Sequence, residues 1–134
     1  MIDIENEIFT KIATTLRAEF QPINVYGEMV KSPAEFPAVM IEEKSNEVLR
    51  WTQDSGNIEN HVLLMYEVNI YSNKRVGKKT QCKDIFKIID GEFAELGFTR
   101  TLKEPIPNVE DATIFRMIGR YTAIASTDKR IFRR

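Results

Sequence analysis

Few residues of this 134-residue chain could do catalytic chemistry, and they do not form a matched set. His61 is the only histidine, so a histidine-based triad would need a nucleophile and an acid beside that one ring. It opens a predicted strand with no such partner nearby in sequence, which favours a surface or edge role. Cys82 is the only cysteine and falls on the apolar stripe of a predicted helix, where a thiol acts as a small hydrophobic side chain. Neither residue is therefore predicted to be a nucleophile.

Two pairs of adjacent acids are the remaining candidates for acid–base chemistry or metal binding, namely Glu42-Glu43 and Glu110-Asp111. Neighbours in a strand point to opposite faces of a sheet, and no histidine or cysteine lies near either pair. We therefore expect solvated charges at strand edges. The chain also lacks a glycine-rich phosphate loop and the H-E-x-x-H and G-x-S-x-G motifs. The sequence predicts a protein that is not an enzyme and takes no cofactor or metal.

Residue types suited to contacts between proteins are more prominent. Four cations occupy a loop at the start of a predicted helix, where the helix dipole favours anions: Lys74, Arg75, Lys78 and Lys79. They are either solvated or face an acidic partner or a phosphate backbone. Trp51, beside Arg50 on a predicted hairpin arm, is of a type enriched in interface hot spots and equally common in cores. The last predicted strand offers an edge that either ends the sheet or pairs with a neighbour, and its candidate contact residues are Arg130, Phe132, Arg133 and Arg134.

Composition limits the classes of function further. The chain has 19 basic and 20 acidic residues and a net charge of −1, so its overall field gives no reason to expect tight nucleic-acid binding. A single cysteine cannot form an internal disulfide, and a chain of this length can bury a core without one. The N-terminal residues are acidic and lack the pattern of a secretory signal, and no apolar run reaches membrane-spanning length. We expect a soluble, cytoplasmic protein.

Two helices are predicted from apolar residues that recur every three or four positions. The first carries Ile4, Ile8, Ile12 and Leu16 on one stripe and ends before Gln21-Pro22. The second covers Lys78 to Leu96, and Gly97 is placed as the left-handed residue that ends it.

Strands are predicted where β-branched and aromatic residues alternate between turn signals, at 23–30, 38–45, 47–54, 61–72, 98–102, 113–125 and 130–134. His61 to Ser72 has apolar residues on both faces for part of its length, which indicates a central strand. Lys103 to Asn108, with two prolines, is predicted to be an extended connector. Gly119 interrupts a strand and suggests a bulge or the close approach of another element. The fold class is therefore α+β, with a mainly antiparallel sheet and two amphipathic helices packed on one face of a single domain, 1–134.

The C-terminal half contains a series of short segments in a characteristic order: Glu67-Val68-Asn69-Ile70-Tyr71-Ser72-Asn73, Gly77-Lys78-Lys79, Ile88-Ile89-Asp90, Leu96-Gly97-Phe98-Thr99-Arg100, Pro105-Ile106-Pro107-Asn108, Asp111-Ala112-Thr113-Ile114-Phe115-Arg116, Gly119-Arg120-Tyr121 and Arg130-Ile131-Phe132-Arg133-Arg134. This series resembles the small tail-terminator, or tail-completion, proteins of long-tailed bacteriophages. The N-terminal half is similar only in the order of its elements. None of these segments is catalytic or highly specific.

The resemblance implies a virion structural protein of the tail or neck that assembles in the host cytoplasm. It implies an α+β subunit that forms a homo-oligomeric ring, a hexamer, which caps the finished tail tube and joins the tail to the head-completion proteins of the neck. Genomic DNA would pass through the ring lumen without specific binding, and no membrane or cofactor would be involved. Two alternatives stay open: another neck component such as a head-closure protein, and a small DNA-binding module supported only by the basic loop and the arginine-rich end.

Overall fold

The computed structural model of the chain describes residues 1–31, 33, 35–50, 60–107 and 111–132. These residues form two helices, each followed by three strands. Their bounds are α1 Glu5–Glu19, β1 Asn24–Tyr26, β2 Ala38–Val48, β3 His61–Ser72, α2 Lys78–Leu96, β4 Thr99–Ile106, β5 Phe115–Ser126 and β6 Ile131–Phe132. The predicted α+β class is confirmed.

The strands form one mixed sheet in the order β1-β2-β3-β5-β4, with β6 also paired to β5. Only β1 runs parallel to its neighbour β2, and the other pairs are antiparallel. The predicted central strand is confirmed, because β3 pairs with β2 on one side and with β5 along its whole length on the other. β3 therefore lies between two long neighbouring strands in the middle of the sheet.

Both helices pack against the same face of the sheet. The buried side of α1 consists of Ile8, Ile12, Ala13 and Leu16, and that of α2 of Cys82, Ile85, Phe86, Ile89 and Phe93. These side chains form one core cluster with every second residue of β3, namely Val62, Leu64, Tyr66, Val68 and Ile70. Gly97 ends α2 at a φ of 94°, as its position in the sequence predicted.

The opposite face of the sheet carries no helix in the described part of the chain. Near one end of the strands, a second, smaller cluster buries Ala38, Met40 and Tyr71. The segment around β1 and the residue before β5 pack on it through Tyr26, Val30, Phe36 and Ile114. The rest of this face carries polar, charged and apolar side chains, among them the buried Asn69 and Ile118.

Several predicted strand boundaries are wrong. The strand predicted at 23–30 shrinks to the three residues of β1, whereas those predicted at 38–45 and from 47 onward merge into the single strand β2. A shift of register between Glu43 and Ser45 marks a bulge that lets β2 run through without a break. Residues 51–54 of the strand predicted at 47–54 lie outside the described residues.

The extended connector predicted at Lys103 to Asn108 is wrong for its first four residues, Lys103 to Ile106, which belong to a strand, and Asn108 lies outside the described residues. β4 runs from Thr99 through Pro105 to Ile106 and pairs with β5. β4 lies at the edge of the sheet, where a strand tolerates a residue without an N–H group. The prolines of this segment are therefore compatible with an edge strand, although the sequence predicts an extended connector.

The close approach predicted at Gly119 is confirmed, and the approaching element is α2. A β-carbon built on Gly119 would lie 2.6 Å from Cε2 and 2.8 Å from Cζ of Phe86. The ring of Phe86 is itself buried and stacks 6.4 Å from that of Tyr121. Because Gly119 has no β-carbon, the Phe86 ring can lie directly against β5 at this position.

Candidate interaction surfaces

The four cations predicted to form an interaction site come together between β3 and α2. We call the surface formed by Lys74, Arg75, Lys78 and Lys79 the basic end. Its loop is held by Ser72, whose hydroxyl accepts a hydrogen bond from the Lys74 backbone N–H at 3.2 Å and lies 2.5 Å from Oε1 of Gln81. Gly77, at a φ of 84°, turns this loop into α2. The backbone therefore fixes the loop, while its cationic side chains stay at the surface.

No carboxylate within the described residues lies within 4.0 Å of the cations of the basic end. The first turn of α2 also contains no acidic side chain, although the positive end of the helix dipole favours one. Three of the four cations are exposed and Lys78 is half-buried. The basic end thus presents positive charge that no carboxylate of the described residues pairs with.

A second candidate surface lies where β6 joins the sheet. Phe132 is 40% exposed, and its ring centroid lies 6.0 Å from that of His61 and 5.6 Å from the guanidinium carbon of Arg130. We call the surface formed by His61, Arg130 and Phe132 the aromatic end. The turn before it is tied to α1 by an ion pair of 2.6 Å between Lys129 and Glu7, and the hydrogen bond from Lys129 lowers the pKa of Glu7.

The two surfaces lie at opposite ends of β3. The basic end follows Ser72, the last residue of β3, and the aromatic end contains His61, its first residue. A strand of 12 residues spans about 36 Å. The structure therefore divides the predicted interface residues into two sites of different chemistry.

The other predicted interface residues are only partly described. Arg50 is exposed just after β2, and Leu49 before it donates its N–H to the His61 carbonyl at 3.0 Å. Arg50 is therefore near the aromatic end in the chain's path. Trp51, Arg133 and Arg134 lie outside the described residues, as does Glu110.

Sequence reasoning missed a polar network on the face without helices. Asn69 is fully buried, and its side-chain oxygen accepts hydrogen bonds from Nε and Nη2 of Arg116 at 3.0 and 2.7 Å. Its amide donates to Glu67 at 3.2 Å, and the other oxygen of Glu67 accepts from Nε of Arg120 at 3.0 Å. The guanidinium of Arg116 also lies 5.4 Å from the centre of the Tyr71 ring. Alternation in the sequence showed polar residues on this face, but only the register of β3 with β5 pairs them.

The adjacent acids Glu42 and Glu43 were predicted to be solvated edge charges, and this is wrong. Both are half-buried and point to opposite faces, as neighbours in a strand do. Glu43 accepts a hydrogen bond from the Tyr66 hydroxyl at 3.1 Å, and burial raises the pKa of its carboxyl. Glu42 lies 3.6 Å from Lys44. Asp111 is exposed and accepts hydrogen bonds from the N–H and hydroxyl of Thr113, which lower its pKa.

The side chain of His61 was predicted to have a surface or edge role, and it is half-buried at the first position of β3. Its Nδ1 is buried and makes no hydrogen bond to any described residue. The described part of the chain brings no nucleophile and acid to this ring, and it contains no group of three side chains able to hold a metal ion. The ring of His61 packs against that of Phe132.

The Cys82 thiol lies in the core between α2 and the sheet. It is fully buried, with Sγ at 3.9 Å from the Ile70 carbonyl and 3.8 Å from that of Phe115, and burial raises its pKa to about 12. A thiol labelling reagent at pH 8 should therefore react with Cys82 at least about 100-fold more slowly in the folded protein than in 6 M urea. Mass spectrometry of timed samples measures both rates. Similar rates in the two conditions would contradict the buried position.

No protein-family model and no curated protein matches the chain. Among the described residues, neither helix is long and apolar enough to cross a membrane.

Proposed function

We propose that this chain is a structural subunit of a phage tail or neck, which assembles as a ring at the head-proximal end of the tail, ends growth of the tail tube and joins the tail to the head. The observation that supports it best is the pair of exposed, chemically different surfaces at opposite ends of β3. A joining subunit must contact two different partners at separate sites. The proposed partners are the tail-tube protein and a head-completion or neck protein, with DNA passing through the lumen without specific binding.

The shape of the sheet supports a ring. Its two edges differ: β1 flanks one side with three residues, whereas the other carries the eight residues of β4. Contact between unlike edges repeats head to tail and closes into a ring when the rotation allows. β4 itself carries Lys103, Glu104 and Pro105, residue types that discourage open-ended strand addition. Contact through side chains at the edges therefore fits better than a continuous sheet.

Two other functions are alternatives to the ring subunit. A head-closure protein would share the small size and α+β elements, but it would stay with DNA-filled heads when heads and tails are separated. A DNA-binding module is favoured only by the basic end and by the arginine-rich C-terminal segment, and the net charge of −1 weighs against it.

The proposal is tested by counting copies in assembled particles. We expect six copies per tail, all at the head-proximal end and present on tails purified without heads. Quantitative mass spectrometry against the tail-tube protein gives the number, and imaging of labelled tails gives the place. A single copy per tail would exclude the ring, and copies found only on heads would favour head closure.

Charge reversal at the basic end should impair assembly without impairing folding. In Lys78→Glu/Lys79→Glu, two acids replace cations at the positive end of α2, so the isolated chain should keep its melting temperature or gain roughly 1–3 °C. The same variant should give tails of abnormal length or tails that fail to join filled heads. Thermal unfolding and a head-joining assay measure the two effects.

The matched control reverses two exposed lysines further along the same helix, Lys83→Glu/Lys87→Glu, with the same change in net charge. It should join heads as the unchanged chain does. Normal joining by Lys78→Glu/Lys79→Glu would contradict the proposal. Submicromolar DNA binding by the unchanged chain, with a steep salt dependence of about −0.9 per phosphate contact, would favour the DNA-binding module.

A further inference from the structure

An apolar groove opens beside the basic end, between the end of β4 and the start of β5. It encloses about 360 Å³, and Lys78 lies at its rim. Its walls are otherwise apolar, formed by Pro105, Ile106, Pro107, Ala112, Ile114 and Phe115. A cavity of this size has room for a large apolar side chain with part of its neighbour.

The backbone at this groove favours insertion of side chains over addition of a strand. Pro105 and Pro107 have no N–H groups to offer an incoming strand, and they flank Ile106 at the end of β4. A partner can therefore gain little from backbone pairing here. The available gain is burial of apolar surface on the half-exposed Ile106, Ile114 and Phe115.

The charge around the groove indicates which residue types would flank an apolar side chain inserted into it. Lys78 lies on the rim, and Lys74, Arg75 and Lys79 come from the same turn, all without a carboxylate partner in the described residues. Against these four cations, the described acids next to the groove walls in sequence are Glu104 and Asp111, and the carboxylate of Asp111 is already bonded to Thr113. Approaching carboxylates would therefore meet net positive charge.

We propose that this groove is the docking site for an acidic segment of a partner protein, which inserts a leucine- or phenylalanine-sized side chain between Ile106 and Ile114 and places flanking carboxylates against Lys78 and its neighbours. A phosphate backbone fits the basic end but not the groove, because it has no apolar side chain to insert. This inference goes beyond the ring itself, since docking of such a segment requires only one folded chain.

The test uses the isolated chain and a fluorescein-labelled, acetylated peptide of sequence Asp-Glu-Leu-Phe-Glu-Asp. Fluorescence anisotropy should show saturable binding that weakens several-fold between 50 and 300 mM salt. A peptide with alanine in place of Leu-Phe, and a peptide with lysine in place of the acids, should each bind at least tenfold more weakly. Amide chemical shifts should change at 74–79 and 104–115.

Two variants of the chain test the two halves of the site. Ala112→Trp fills the groove from an exposed position and should weaken binding at least tenfold, whereas the control Ala18→Trp on the exposed side of α1 should not change it. Lys78→Glu should also weaken binding about tenfold, and Lys83→Glu should change it less than twofold. Circular dichroism spectra verify that each variant is folded.

Three results would overturn the inference: equal binding of the alanine peptide, unchanged affinity in Ala112→Trp, or displacement of the peptide by duplex DNA at submicromolar concentration. The outcome is separate from that of the ring. A chain that binds the peptide but occurs once per tail would leave the groove assignment standing and remove the proposed ring function. Six copies per tail with no peptide binding would do the reverse.

Discussion

Phe93→Ala is expected to lower the free energy of unfolding by about 3–5 kcal/mol, the cost of removing a large buried aromatic side chain. Phe93 is fully buried in α2, and its ring stacks on that of Tyr121 at 4.2 Å with an interplanar angle of 12°. Its edge also meets Phe98 at 5.2 Å and Tyr66 at 5.9 Å. One substitution thus removes the contacts of α2 with Tyr66 of β3, Tyr121 of β5 and Phe98, the residue before β4.

Urea unfolding followed by circular dichroism measures this loss. A domain is typically stable by only about 5–15 kcal/mol, so the variant should unfold at much lower urea or fail to fold at 37 °C. Phe132→Ala makes the same chemical change at the partly exposed aromatic end and should cost less than about 1 kcal/mol. Equal losses at the two positions would mean that the aromatic cluster of the core is not where stability lies.

Gly119→Val is expected to destabilise the protein by about 1–3 kcal/mol, despite the better strand propensity of valine. A β-carbon at this position would lie within 3 Å of the Phe86 ring. The ring has no free space to move into, because it is 2% exposed and lies between Tyr121 and the amino group of Lys103. The melting temperature should fall by roughly 4 °C for each kcal/mol lost.

A pair of alanine variants provides the matched control for this steric argument. Gly119→Ala should destabilise the chain, whereas Gly91→Ala in α2 should stabilise it by about 0.5–1 kcal/mol, since Gly91 has open space around it and alanine favours a helix. If the glycine-to-alanine change lowers stability at position 119 and raises it at position 91, the loss at 119 can be attributed to the close approach of Phe86. An unchanged or raised melting temperature in Gly119→Val would show that the ring moves aside.

Elements with one clear periodicity were predictable from the sequence. The apolar stripe of α2 and the glycine after it gave both of its ends, and the two-sided apolar pattern of β3 gave its central place. The strands at the margins were not predictable to the same extent. Pro105 reads locally as a loop signal, and only its place at the edge of the sheet shows that a strand accepts it.

The candidate surfaces were predictable as residue types but not as an arrangement. The cations of the basic end are adjacent in sequence, so their clustering followed directly. The separation between that end and Phe132 depends on strand order and direction, which local patterns do not encode. The network of Asn69 with Glu67 and Arg116 depends on the register of β3 with β5, which a shift of one residue would have destroyed.

The full-length pairing of β3 has a mechanical consequence. Hydrogen bonds between antiparallel strands lie perpendicular to the strands. Lengthening β3 between its two ends therefore slides it against both neighbours and loads its bonds in shear, along the continuous register from His61 to Ser72 with β5 and on both sides of the bulge in β2. These bonds share the load, whereas a strand peeled from one end loses them one at a time. Along this axis the subunit should stretch little under load before the whole sheet fails.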